Sequence, residues 1–233
     1  MRVVVAIPWR PQPDRVYAHG LTVARYRELL PNTETLSVDT DHQPFCLAGC
    51  RNKGVRLAED LGADVVVIGD ADTLPEREPL LAAIEGAARN GKVNLPYTAY
   101  WSLRGDGTAQ YRRGVPLHKC NHFEVPGACS GVLVATPATW RAVGGQDERF
   151  LGWGAEDAAF YSAHVALLGS EPVRHPGRVY SLTHESATKE GPQYSANFAL
   201  CFRYQQAQGD PDAMRALIAE REAVDAERAV GRA

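Results

Sequence analysis

The chain has 233 residues, 45% hydrophobic and 23% charged, with a formal net charge of −3. That length holds one α/β domain with its own core, or one domain and a small appendage, and the acidic balance argues against a generic binder of nucleic acid or of anionic membrane. Five scattered cysteines imply no disulfide framework and fit a reducing cytoplasm, and no stretch has the length of a membrane span or a signal-peptide core.

The run Val3-Val4-Val5-Ala6-Ile7 predicts a central parallel strand over Arg2 to Ile7. Pro8-Trp9-Arg10-Pro11-Gln12-Pro13 stops it and leaves an aromatic ring and a guanidinium at its carboxyl end. An Arg there can fork onto phosphate, and Trp9 either lies against a base or packs into the core. A helix is expected over Leu21 to Leu30, then a strand over Thr33 to Val38 ending in Asp39-Thr40-Asp41. Asp39 and Asp41 either accept hydrogen bonds from a ribose or uracil or cap the turn. Val55, Ala58 and Leu61 recur at helical spacing over Ala48 to Gly62, with Arg51 and Asn52 near the start and Gly62 as the stop.

A strand over Asp64 to Gly69 then ends directly in Asp70-Ala71-Asp72. Two carboxylates this close repel one another unless a cation or proton sits between them, and hard divalent metals prefer such oxygen ligands. A polar turn after a core strand is the plainer alternative. A helix follows over Arg77 to Arg89 and a strand over Lys92 to Leu95. Tyr97 to Val125 lacks sustained periodicity and reads as a long polar loop over a functional site. Within it, His118-Lys119-Cys120-Asn121-His122 has no second half to complete a zinc site.

Gly131 to Ala135 predicts a strand, and Thr136-Pro137 the cap and first turn of a helix to Val143. In Gly152-Trp153-Gly154-Ala155-Glu156-Asp157 two glycines frame an indole and two acids open a helix to about Leu168, where acids also complement the helix dipole. A last strand over Arg178 to Leu182 closes in Thr183-His184-Glu185, and Ser186 to Tyr194 reads as mobile. Helices near Asn197 to Gln208 and Asp210 to Val230 finish the chain.

Taken in order, Ile7-Pro8-Trp9-Arg10, Arg51-Asn52-Lys53-Gly54, Asp70-Ala71-Asp72, Gly152-Trp153-Gly154-Ala155-Glu156-Asp157 and His184 resemble metal-dependent glycosyltransferases of the GT-A type. The resemblance is to the β-1,4-galactosyltransferase family and to polypeptide GalNAc-transferase catalytic domains, and it covers Val3 to Glu185. It implies an α/β fold with a Rossmann-like, mixed but mostly parallel sheet flanked by helices. The catalytic domain would span residues 1–195, with a packed helical extension over 196–233. It further implies a UDP-sugar donor, a hydroxyl acceptor and Mn²⁺, with Mg²⁺ as the alternative metal.

Carried over, Pro8, Trp9, Arg10, Asp39, Arg51, Asn52 and Asp70 would serve the nucleotide, and Asp70, Asp72 and His184 the metal. Trp153, Gly154 and Glu156 would contact sugar and acceptor, and Asp157 would be the base of an inverting transfer. Retaining transfer, or a nucleotide- or glycan-binding module without turnover, are the alternatives. Ala155 stands where the family has Gly, which implies a narrower sugar pocket, and Ala158-Ala159 where it has further acids, which implies a different donor or acceptor.

Overall fold

The structure, a computed structural model, describes residues 1–184 and 189–230. Its first elements are β1 (Val3–Pro8), α1 (Val16–Leu29), β2 (Glu34–Val38), α2 (Leu47–Asp60), β3 (Val65–Gly69) and β4 (Thr73–Pro75). The middle of the chain forms α3 (Arg77–Asn90), β5 (Asn94–Leu95), β6 (Ala99–Ser102), α4 (Gly107–Arg112), β7 (Phe123–Glu124) and β8 (Val132–Ala135). It closes with α5 (Pro137–Ala142), α6 (Glu156–Leu168), β9 (Val173–Arg174), β10 (Arg178–Ser181), α7 (Pro192–Ala207) and α8 (Pro211–Val230).

Two sheets result, and the larger is mixed but mostly parallel, with three parallel and two antiparallel pairings. The larger has the order β2-β1-β3-β8-β5-β9: β2, β1 and β3 run parallel, β8 runs antiparallel to both β3 and β5, and β5 is parallel to β9. The β-branched runs of β1 and β3 are buried on both faces, as continuous apolar strands between helix layers must be. A Cβ at Gly54 would lie 2.8 Å from that of Ala6, so α2 approaches β1 as closely as glycine permits. Gly62 and Gly91, with φ of 75° and 62°, lie just beyond the ends of α2 and α3 in the left-handed conformation suited to a helix stop.

The second sheet, β4-β10-β6-β7, draws β6 and β7 from the two ends of the stretch read as a loop over Tyr97 to Val125, with α4 between them. Its elements there are two to six residues long, too short to show a period in sequence. β4 was missed for the same reason, and it matters most: its antiparallel pairing with β10, Thr73 opposite Ser181, anchors the end of the chain's last strand beside Asp72.

α1 and α7 begin earlier than expected, at Val16 and Pro192, so the division drawn at residue 195 falls inside α7. Cys201, Tyr204, Ala207, Met214 and Leu217, from α7 and α8, are buried in the main core with β1, β3 and β8. All five cysteines are free thiols. No helix among the described residues is long and apolar enough to cross a membrane. Of the segment Ser186 to Tyr194, residues 186–188 lie outside the described residues.

Candidate active site

The parallel strands β1 and β3 end at the same edge of the sheet, in Pro8 and in Gly69-Asp70, beside the mouth of a cavity of about 620 Å³. Crevices at the carboxyl ends of strands are where open α/β sheets bind ligands. Pro8, Asp70, Asp72, Trp153, Gly154, Glu156, Asp157 and His184 all line this one cavity. Residues from four separate stretches of chain thus converge on one cavity.

Two of these residues, Asp72 and His184, meet directly. The Leu182 N–H donates to the Asp72 carbonyl at 2.8 Å, fixing where β10 exits, and His184 Nε2 then lies 3.1 Å from Asp72 Oδ2. Both side chains are partly buried and face the cavity. A carboxylate oxygen and an imidazole nitrogen form a mixed donor pair that suits a borderline cation such as Mn²⁺ better than Mg²⁺. No third His, Cys, Asp or Glu among the described residues completes a metal-holding cluster.

Asp70 instead sits with Arg51. Arg51 Nη2 donates to Asp70 Oδ1 at 2.6 Å, and Nη1 reaches Gln146 Oε1 at 3.0 Å and Glu156 Oε1 at 3.4 Å. Arg51 is 1% exposed, so it lies beneath the site and joins two of its acids rather than facing a ligand. Burial pushes both carboxyls above their usual range, Asp70 with a further rise from Asp72 and Glu156 with one from Asp157, while Arg51 pulls both down.

The residues expected around the nucleotide divide. Pro8 lines the cavity, but Arg10 is engaged elsewhere: Nε and Nη2 grip Asp39 Oδ2 and Oδ1 at 2.8 and 2.9 Å, Nη1 donates to the His42 carbonyl, and Nη2 also to that of Thr40. Arg10 and Asp39 thereby fasten the exits of β1 and β2 to each other. Trp9 stacks on His19, with centroids 4.1 Å apart and planes 7° from parallel. Asn52 is saturated, its amide donating to the Gln146 carbonyl and Glu148 Oε1 while its oxygen accepts from Trp140 Nε1 and Gln146 N–H. Arg10, Asp39, Arg51 and Asn52 therefore frame the site from behind.

Gly152 and Gly154, with φ of 69° and 107°, turn the chain on either side of Trp153 and expose its ring at the cavity mouth. The indole is 39% exposed and stacks on Tyr194, with Lys189 Nζ 4.2 Å from its centroid. Asn197 of α7 donates to the carbonyls of Leu151 and Trp153, holding this loop from below. Glu156 and Asp157 then open α6, and Ala155 ahead of them has φ of 75°.

Arg15, Tyr100 and Ser130 also line the cavity and were not singled out in the sequence. Tyr100 lines a second cavity of about 540 Å³ as well, and Cys129 and Ala158 line that one where their neighbours Ser130 and Asp157 line the first. The two cavities share a wall one residue thick.

The two mixed sheets, the helices flanking them and the Asp-Ala-Asp motif at the edge of β3 define a fold of the GT-A glycosyltransferase type. Residues 115–185 match the family described as the N-terminal domain of galactosyltransferase. A xylosylprotein 4-beta-galactosyltransferase of Caenorhabditis elegans is 23% identical over 162 residues, 69% of this chain and 49% of that protein. The chain thus spans about half the length of the curated relative it matches. Among solved structures, GalNAc-T7 with UDP, GalNAc and Mn²⁺ is similar with a TM-score of 0.58 at 10% identity, over 95% of this chain and 55% of that one. The catalytic domain of Drosophila β1,4-galactosyltransferase 7, crystallised with xylobiose, has a TM-score of 0.49 at 18% identity, over 83% and 72% of the two chains. The resemblance first read from the motifs thus extends to sequence and to fold.

Proposed function

We propose that this protein is a metal-dependent glycosyltransferase that moves a sugar from a UDP-sugar to an acceptor hydroxyl with inversion. The observation that carries the reading is the meeting of Asp72 and His184 at 3.1 Å in the cavity that also holds Asp157 and the exposed face of Trp153. The metal-bound complexes of proteins with this fold support it: the GalNAc-T7 structure contains UDP and Mn²⁺.

Asp72 and His184 would hold Mn²⁺, a carboxylate oxygen and an imidazole nitrogen being a donor pair suited to it. Bound there, the metal supplies Lewis-acid stabilisation of the charge that develops on the departing diphosphate. Arg51 holds Asp70 and Glu156 in place from beneath, so the polar groups around the donor sugar need no rearrangement as charge develops. Trp153 offers a flat face to the sugar, and Glu156 a hydrogen-bonding carboxyl to its hydroxyls. Asp157 takes the proton from the acceptor hydroxyl. The acceptor oxygen then bonds to the anomeric carbon, whose bond to the diphosphate oxygen breaks with its electron pair leaving on UDP. A correctly placed carboxylate base contributes roughly 10²- to 10⁴-fold in rate.

The test is UDP release across a panel of UDP-sugars with and without Mn²⁺, with the anomeric configuration of the product read by NMR. Retention of configuration would remove Asp157 from the role of base, and absence of turnover with every donor would leave only a binding module.

A further inference from the structure

The stretch without periodicity, Tyr97 to Val125, folds its two ends around a cavity of their own. Tyr97, Thr98 and Tyr100 from one end and Glu124 and Val125 from the other line the space of about 540 Å³ beside the candidate active site. Across it stand Tyr161 and Ser162 of α6, Arg174 of β9, and Gln205 and Gln208 at the end of α7. That volume falls in the range that holds a small organic ligand.

The wall between this cavity and the first is fastened in advance. The Tyr97 hydroxyl donates to the Ser130 carbonyl at 2.6 Å, and Arg174 Nη2 donates to the Ala128 carbonyl at 2.7 Å. The chain from Ala128 to Ser130 is therefore held before a ligand arrives, which lowers the ordering cost of binding. Tyr97 and Tyr100 meet edge to face, with centroids 5.9 Å apart, and so brace one another at the same boundary.

The cavity also has the right relation to Asp157. Asp157 and Tyr161 are four residues apart on α6, which places their Cβ atoms about 5–6 Å apart on one helix face. Asp157 lines the first cavity and Tyr161 the second. An acceptor hydroxyl must come within hydrogen-bond reach of the base while the donor fills the first cavity. A ring lying against Tyr161 meets that requirement with an edge toward Asp157.

The lining selects the chemistry. Tyr97, Tyr100 and Tyr161 supply electron-rich ring faces, which favour the C–H face of a saturated ring. Ser162 donates to Gln208 Oε1 at 3.0 Å and leaves the Gln208 N–H₂ group available, and the Gln205 side chain makes no hydrogen bond among the described residues. Amides and the carboxylates of Glu124 and Glu171 suit a ligand whose hydroxyls both donate and accept. Arg174 is the one cation among the described lining residues, and it is turned to the Ala128 carbonyl and lies 5.5 Å from the Tyr97 centroid. Two acids against one engaged cation, with Asp157 across the wall, oppose an anionic ligand.

We propose that the second cavity is the acceptor site and that the acceptor it takes is an uncharged saccharide. One sugar ring lies against Tyr161 with its hydroxyls on Gln205 and Gln208, and the hydroxyl that is glycosylated reaches over the Tyr100 wall to Asp157. The proposal rests on the reading of the first cavity as the UDP-sugar site.

The experiment is calorimetric titration of xylobiose, cellobiose, lactose and glucose 6-phosphate into the full chain with UDP and Mn²⁺ present, as wild type, Tyr161→Ala and Gln205→Ala. UDP binding and thermal unfolding of each protein are measured alongside, and Gln205, being exposed, can be truncated without loss of the fold. At least one neutral disaccharide should bind wild type more tightly than glucose 6-phosphate does. Each variant should weaken it by about 3- to 10-fold with UDP affinity unchanged. No binding of any disaccharide, equal affinity in wild type and both variants, or preference for glucose 6-phosphate would overturn the proposal. Wild type that binds no UDP would instead overturn the UDP-sugar reading.

Discussion

Arg51 and Asp70 meet at 2.6 Å beneath the sheet edge, and that contact separates the two acids of the Asp-Ala-Asp motif. Asp70 belongs to a buried arginine, whereas Asp72 faces His184 across the cavity. Removing Arg51 would leave Asp70 and Glu156 without their common counter-charge. Arg51→Ala should therefore destabilise the fold by about 3–5 kcal/mol, read by urea denaturation, and Arg51→Lys should recover only part because it cannot fork between two acids.

Asp72 and Asp157 should fail in different ways. Asp72→Ala should abolish the Mn²⁺ dependence of UDP binding. Asp157→Asn should keep that binding and lose about 10²- to 10⁴-fold in kcat. Full transfer activity in Asp157→Asn would remove the residue from the role of base.

Ala155 holds a left-handed conformation, with φ of 75°, at the turn into α6. An L-residue with a Cβ is strained there by about 1–2 kcal/mol, partly offset by the greater chain entropy glycine loses on folding. Ala155→Gly should raise stability by about 0.5–1 kcal/mol, measured as a higher midpoint in urea. Because Ala155 lines the cavity, the same change should widen the range of donor sugars accepted.

Acid should weaken the fold through His164. The ring is fully buried, Nε2 accepts the Val93 N–H at 3.1 Å, and Nδ1–H donates to the Ser170 carbonyl at 2.8 Å, an arrangement only the neutral imidazole makes. Burial lowers its pKa below the ordinary 6.5, so the unfolded chain binds this proton before the folded one does. The stability it contributes is present above about pH 6.5 and is lost as pH falls toward the depressed folded value. His19 and His175, also lowered by burial, act with the same sign. Asp70 and Glu156, raised by burial, act with the opposite sign, so the histidine contribution is read by difference: between pH 7 and 5.5 the change in urea midpoint should be less favourable to the fold in wild type than in His164→Gln, which is itself less stable at pH 7.5.

The parts of the fold legible in sequence were those with a full period to read. β1, β3 and β8 are buried apolar runs, and α2, α3 and α6 carry helical spacing or clear stops, so Asp70, Asp72, Glu156 and Asp157 could be placed at element ends. β4, β6 and β7 span two to four residues each, below any detectable period, and the second sheet they build with β10 was hidden with them. His184 was found only through family resemblance, since its position depends on β4 pairing with β10. That Arg10 is held by Asp39 was not legible, because a sequence shows that an arginine lies near a strand end but not which carboxylate takes it.

The most direct test is calorimetric titration of UDP into wild type and Asp72→Ala, with and without Mn²⁺. Metal-dependent binding in wild type that vanishes in Asp72→Ala is the predicted result. UDP affinity that is absent in all conditions, or equal with and without Mn²⁺, would contradict the account.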